Sequence, residues 1–100
     1  MNNFFVLVTP DDLVIHSRVT NGEVDGISLL EKGDLPIRKD IFFNDYKSAR
    51  AQLDVTQVHV LKYFPETAIS KAVLGARVVK YHLTIIEVGH ADESSLPRLL

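Results

Sequence analysis

Four histidines are the side chains of this 100-residue chain best suited to acid–base chemistry, because an imidazole titrates near neutral pH without help from its surroundings. They are His16, His59, His82 and His90. Lys62 follows His59 by three residues, and Lys80 precedes His82 by two. An imidazole pair beside an ammonium group could act as general base and general acid in metal-independent RNA cleavage. The alternative interpretation, which we favour, is four ordinary surface or half-buried histidines.

A cationic stripe is the second group of candidate residues. Lys80, His82 and Thr84 alternate along a predicted strand, so they would share one face, and Arg77 comes just before them. Such a stripe gains affinity for phosphates by releasing counterions. The more ordinary interpretation is the solvated face of an antiparallel sheet. Together with Lys62, these are the residues that we expect to contact a macromolecular partner.

Several chemistries are excluded by composition. The chain has no cysteine, which excludes disulfides, a thiol nucleophile, an iron–sulfur cluster and a thiolate zinc site. His82, Glu87 and His90 are a neighbouring set of metal-ligating types, but on a regular strand Glu87 points away from His82. The glycines are isolated and form no phosphate-binding loop. We therefore expect no metal site and no cofactor.

Composition also limits the class of protein. Apolar residues make up 46% of the chain and charged residues 24%, as in one ordinary globular domain, and the net charge of −2 argues against coating nucleic acid by bulk positive charge. The N-terminal apolar run covers only residues 4–8, too short for a signal peptide or a membrane span. We expect a soluble, cytoplasmic protein without a membrane partner.

The first half of the chain predicts strands. Apolar residues 4–8 and the partly alternating residues 13–20 flank a Thr-Pro-Asp-Asp turn, which predicts a hairpin. Asn21 and Gly22 predict a second turn. Residues 26–33 fit either a short helix or a third strand, and we favour the strand. Residues 37–43 predict another strand.

The second half mixes helices and strands. Asn44 is a predicted N-cap for a helix over 45–53, with an apolar stripe at Tyr46, Ala49 and Leu53. Residues 56–64 predict a strand by composition, because they are rich in branched and aromatic side chains. Pro65 then introduces a short helix over 66–74, which Gly75 ends.

The clearest strand pattern covers residues 77–88. Val79, Tyr81, Leu83 and Ile85 alternate with polar residues, which predicts one buried and one solvated face. Periodicity is lost after residue 89. We therefore predict a single α+β domain over residues 1–89, with an antiparallel or mixed sheet of five to six strands and two short helices packed on one face. Residues 90–100 are predicted to be a flexible C-terminal tail.

These patterns favour a non-catalytic function. We expect a protein-binding accessory or regulatory protein of the inhibitor or adaptor type, such as bacteria and their phages produce, acting through a sheet edge or face. The partner would be another protein or a second copy of the chain, and a homodimer through residues 77–88 would protect a long edge strand. The alternative function is nucleic-acid binding, or ribonuclease activity by His59, His82, Lys62 and Lys80.

Overall fold

The computed structural model describes residues 2–34 and 41–83, which form an α+β fold with a four-stranded antiparallel sheet and two helices. The strands lie in the order β3-β2-β1-β4, so β3 and β4 are its edges. The elements are β1 (Asn2–Val8), β2 (Val14–Thr20), β3 (Glu23–Leu30), a 3-10 turn (Lys32–Asp34), α1 (Tyr46–Tyr63), α2 (Ala68–Leu74) and β4 (Arg77–Leu83). No helix in these two described ranges combines the length and the apolarity that a membrane span requires.

The second half of strand β1 is buried on both faces, at Val6, Leu7 and Val8, which explains why its sequence is apolar without alternation there. On one face both helices pack against the sheet in a cluster that consists of Leu7, Ile15, Ala49, Leu53, Val60 and Val73. On the other face residues 41 and 42 cover β1 and β2 in a cluster that consists of Val6, Val8, Val14, Ile41 and Phe42. The predicted packing of the helices on one face of a sheet is confirmed.

The β2–β3 hairpin confirms the predicted Asn-Gly turn. Asn21 and Gly22 have φ angles of 54° and 81°, the left-handed conformation that a tight two-residue hairpin turn requires. Of the two alternatives for residues 26–33, the strand is correct as far as Leu30. Asp25 is an extra residue in β3, because Arg18 pairs with Gly26 while Val19 pairs with Val24.

The prediction of five to six strands is not confirmed, because the described residues form four. Strands β1 and β2 share a single Cα pair, Val8 with Val14. At Phe5, the neighbour of β1 on the side away from β4 is Phe43 and not β2. Phe5 and Phe43 exchange two backbone hydrogen bonds, of 2.8 and 2.9 Å. Of the strand predicted over 37–43, residues 37–40 lie outside the described residues, and the rest contributes this single bridge.

The strand predicted over 56–64 is wrong. Helix α1 is a continuous 18-residue helix, neither short nor ended at residue 53, and its N-cap is Asp45 rather than Asn44. Its fully buried residues Ala49, Leu53, Thr56 and Val60 follow one another at intervals of four, three and four, which is one helix face. The tertiary contact of this face overrides the strand propensity of the branched residues between them.

The remaining elements agree with the predictions where they are described. Helix α2 ends at Gly75 as predicted, but it begins at Ala68, two residues later than predicted, after the N-cap Thr67. In β4, Val79 and Tyr81 pack against the cluster that contains Phe42. Residues 84–88 of the predicted long strand and the predicted tail at 90–100 lie outside the described residues.

Candidate functional site

The second half of α1 carries apolar side chains on more than its buried face. Eight large apolar side chains are exposed among the described residues, and five of them lie between residues 55 and 64. These five are Val55, Val58, Leu61, Tyr63 and Phe64. Val58 is 65% exposed, the largest fraction of the eight. A helix that is apolar on a second face has a surface that the described residues of the chain leave uncovered.

Edge strand β3 lies beside this half of α1, and two adjoining cavities separate them. The first, of about 320 Å³, lies between the start of β3 and α1 and is lined by Gly22, Glu23, Val24, Val55, Val58, His59, Lys62 and Tyr63. The second, of about 380 Å³, is lined by Val24, Asp25, Gly26, Ile27, His59, Phe64 and Ile69. Because Val24 and His59 line both cavities, we treat the two as one α1–β3 groove.

Aromatic rings form the α1 side of the groove. The His59 imidazole lies between Tyr63 and Phe64, with ring centroids 4.8 and 5.8 Å away. The ammonium group of Lys62 lies 5.2 Å from the centroid of the Tyr63 ring, a cation–π contact. Lys62 also lies in the last turn of α1, where a cation interacts favourably with the helix dipole. This part of the helix therefore combines apolar surface, one imidazole and one cation.

The charges of the groove lie on opposite walls. Glu23 lines the first cavity from β3, and Lys62 lines it from α1. The carboxylate of Asp25 is engaged elsewhere, since it accepts hydrogen bonds at 2.7 Å from Arg18 Nε and from Thr20 Oγ1. These bonds, that from Arg18 foremost, hold the pKa of Asp25 below its usual value. Neither Glu23 nor Lys62 forms an ion pair with another of the described residues.

The structure brings together only some of the predicted site residues. His59 and Lys62 share the groove. Lys80 and His82 lie on β4, at the opposite edge of the sheet, with β2 and β1 between them and β3. The described elements therefore do not place His59 and His82 in one cleft.

The other candidates are dispersed as well. Arg77 begins β4 and donates from Nη1 to the backbone oxygen of Thr9 at 3.3 Å. His16 is half-buried in β2. Thr84, Glu87 and His90 lie outside the described residues. Within 2–34 and 41–83, no three histidine, aspartate or glutamate side chains are grouped as metal ligands.

The groove residues Glu23, Val58, Tyr63 and Phe64 were not singled out by the sequence. The pattern that could have revealed three of them is the set of apolar residues within 55–64, once this segment is placed on a helix. Only some of its side chains then fit the buried stripe of Ala49, Leu53, Thr56 and Val60.

Comparison of the chain with protein-family models, with curated proteins and with solved structures gave no match.

Proposed function

We propose that the chain is a small, non-catalytic protein-binding domain of the inhibitor or adaptor type, and that the α1–β3 groove is its binding surface. The observation that carries the proposal is the concentration of exposed apolar side chains between residues 55 and 64. Four of these five side chains, all except Leu61, line the groove, and apolar side chains grouped on one surface are typical of surfaces that bind other proteins. The polar groups at its border, Glu23 and Lys62, fit the polar rim that such surfaces have.

The chemistry of the groove favours binding over catalysis. Acid–base cleavage of RNA needs two cooperating groups at the reacting atoms, and the groove contains one imidazole, that of His59. Nucleic-acid binding is also less well supported. Lys62 is the only lysine or arginine among the described residues that line the groove, and Glu23 lies opposite it. Affinity for a nucleic-acid backbone grows with the number of phosphates that cations neutralise.

The test is affinity capture from a lysate of the source organism with the wild-type protein and the Val58→Asp variant. Val58 is mostly exposed, so its substitution should change the free energy of unfolding by no more than about 0.5 kcal/mol. A charge at the centre of an apolar interface should nevertheless abolish binding. We expect the wild type to retain a stoichiometric protein that Val58→Asp does not retain.

Leu74→Asp is the matched control, because Leu74 is an exposed apolar residue at the end of α2 and does not line the groove. It should retain the same protein as the wild type. Equal capture by wild type and Val58→Asp would contradict the proposal. So would salt-dependent binding of the wild type to oligonucleotides with no protein captured, which would favour a nucleic-acid function.

A further inference from the structure

We infer that a second copy of this chain covers the α1–β3 groove, packed against the first about a twofold axis that runs along the groove. The inference rests on the proposed function and adds the identity of the partner. In a twofold dimer both copies use the same patch, so the patch must be complementary to itself. With the axis along the groove, the β3 wall of each copy meets the α1 wall of the other.

The charges of the groove have this self-complementary arrangement. Glu23 and Lys62 line opposite walls of the same cavity, at the same end of the groove. The twofold rotation therefore places Glu23 of each copy against Lys62 of the other, which gives two pairs of opposite sign. Asp25 does not oppose this pairing, because its carboxylate is held by Arg18 and Thr20.

The apolar side chains supply the centre of the same contact. Val58 and Tyr63 line the first cavity and are 65% and 55% exposed, and Phe64 lines the second. Each copy contributes the same residues, so the exposed side chains on the α1 wall of one chain are covered by the β3 wall of the other. Aromatic residues with apolar neighbours and a polar border are the composition that contributes most to binding free energy.

The edge at β4 fits a second copy less well. Among the side chains described on β4, those of residues 77–82, none is one of the eight exposed large apolar ones, and the exposed residues there include Arg77, Lys80 and His82. A twofold contact there would bring groups of like charge together, and charged side chains are a common protection of an edge strand against pairing.

The experiment measures the mass of the full chain by sedimentation equilibrium and light scattering over a range of micromolar concentrations. We expect the wild type to reach twice its mass of 11.2 kDa. Lys62→Glu and Glu23→Lys should each weaken dimerisation by about tenfold or more, because each single substitution creates two like-charged pairs. The double variant Lys62→Glu/Glu23→Lys exchanges the two charges and should bring the dissociation constant back to within about threefold of the wild type.

Lys47→Glu is the matched control, because it makes the same change of charge on α1 at an exposed residue that does not line the groove. Circular dichroism of each variant checks that the fold is retained. A dimer that Lys62→Glu weakens and the exchanged pair restores supports the inference. A dimer that neither Lys62→Glu nor Val58→Asp weakens would overturn it. A chain that is monomeric at every concentration would also overturn the inference. In that case the proposed function would still hold if the affinity capture shows a foreign protein that the wild type retains and Val58→Asp does not.

Discussion

At the scale of single residues, three polar side chains hold α1 on the β2–β3 hairpin and so position the groove. Gln52 Nε2 donates to the backbone oxygen of Ser17 at 2.7 Å. Ser17 Oγ and Thr56 Oγ1 are 2.7 Å apart, and both residues are buried. Because Thr56 Oγ1 donates its single hydrogen to Gln52 O, the Ser17 hydroxyl must be the donor to Thr56. The donor and acceptor roles of both hydroxyl groups are therefore assigned.

The direction of these bonds makes a prediction for Thr56→Val. This variant leaves the buried Ser17 hydroxyl without its acceptor, which should lower the free energy of unfolding by about 1–3 kcal/mol. The double variant Ser17→Ala/Thr56→Val also removes the Ser17 hydroxyl. Its loss of free energy of unfolding should be smaller than the sum of the losses in the two single variants, by about 0.5 kcal/mol or more. Urea unfolding of the four proteins measures this coupling. Additive losses would show that the two hydroxyls act independently.

At the scale of elements, α1 begins at a titratable cap, so the stability of the helix depends on pH. The Asp45 carboxylate accepts a hydrogen bond from Ser48 N at 2.7 Å, and this bond lowers the pKa of Asp45 below 3.8, its value in an unfolded chain. Protonation then favours the unfolded state. The stabilisation by Asp45 is present above about pH 5 and is lost as the pH falls through 3.8 towards the lower pKa of the folded protein.

Asp45→Asn isolates this contribution, because asparagine caps a helix about as well and does not titrate. The melting temperatures of wild type and variant should be close at neutral pH. The melting temperature of the wild type should then decrease more than that of the variant as the pH falls from about 5 to 2.5. Other carboxylates with a lowered pKa, such as Asp25, titrate in both proteins and cancel in the difference. A difference between the two melting temperatures that does not change with pH would show that the cap is not the charged form.

Local chemistry explains which elements the sequence predicted correctly. The Asn21–Gly22 turn, the cap at Gly75 and the alternation from Val78 to His82 depend on neighbouring residues alone, and all three are present. The end of α1 depends on packing instead. Val55, Val58 and Leu61 are apolar but face solvent, so the composition of this segment resembles that of a buried strand. These residues obscure the helical spacing of the buried residues Leu53, Thr56 and Val60 in the sequence.

The groove was beyond sequence reasoning for a related reason. Its two walls come from residues 22–27 and 55–64, which are far apart in the chain and meet only because α1 crosses the sheet to the β3 edge. Of the groove residues, the sequence had selected His59 and Lys62 for their acid–base chemistry, and it had grouped them with His82 and Lys80 of β4 and not with residues of β3. No local pattern relates Glu23 to Lys62.

At the scale of the whole molecule, the sheet has two edges in its described part, and the backbone hydrogen bonds show which groups face outward at β4. Phe5 directs its backbone N–H and C=O to Phe43, and its partner on the other side is Lys80. In an antiparallel pair, when one residue directs these groups away, its partner does too. The N–H and C=O of Lys80 therefore face the outer edge, and those of Val79 face Val6 on β1.

This alternation provides a variant that closes the β4 edge and leaves the sheet intact. Lys80→Pro removes an outward N–H and adds a ring there, whereas Val79→Pro removes a hydrogen bond to β1 and should unfold part of the sheet. The contact predicted through residues 77–88 would be lost in Lys80→Pro, but a dimer through the α1–β3 groove would be unchanged. We expect Lys80→Pro to keep the wild-type dimer mass, because five of the eight exposed large apolar side chains of the described residues lie between residues 55 and 64, beside the other edge. A folded Lys80→Pro that is monomeric, in sedimentation experiments where Val58→Asp remains dimeric, would instead place the contact between the copies at β4.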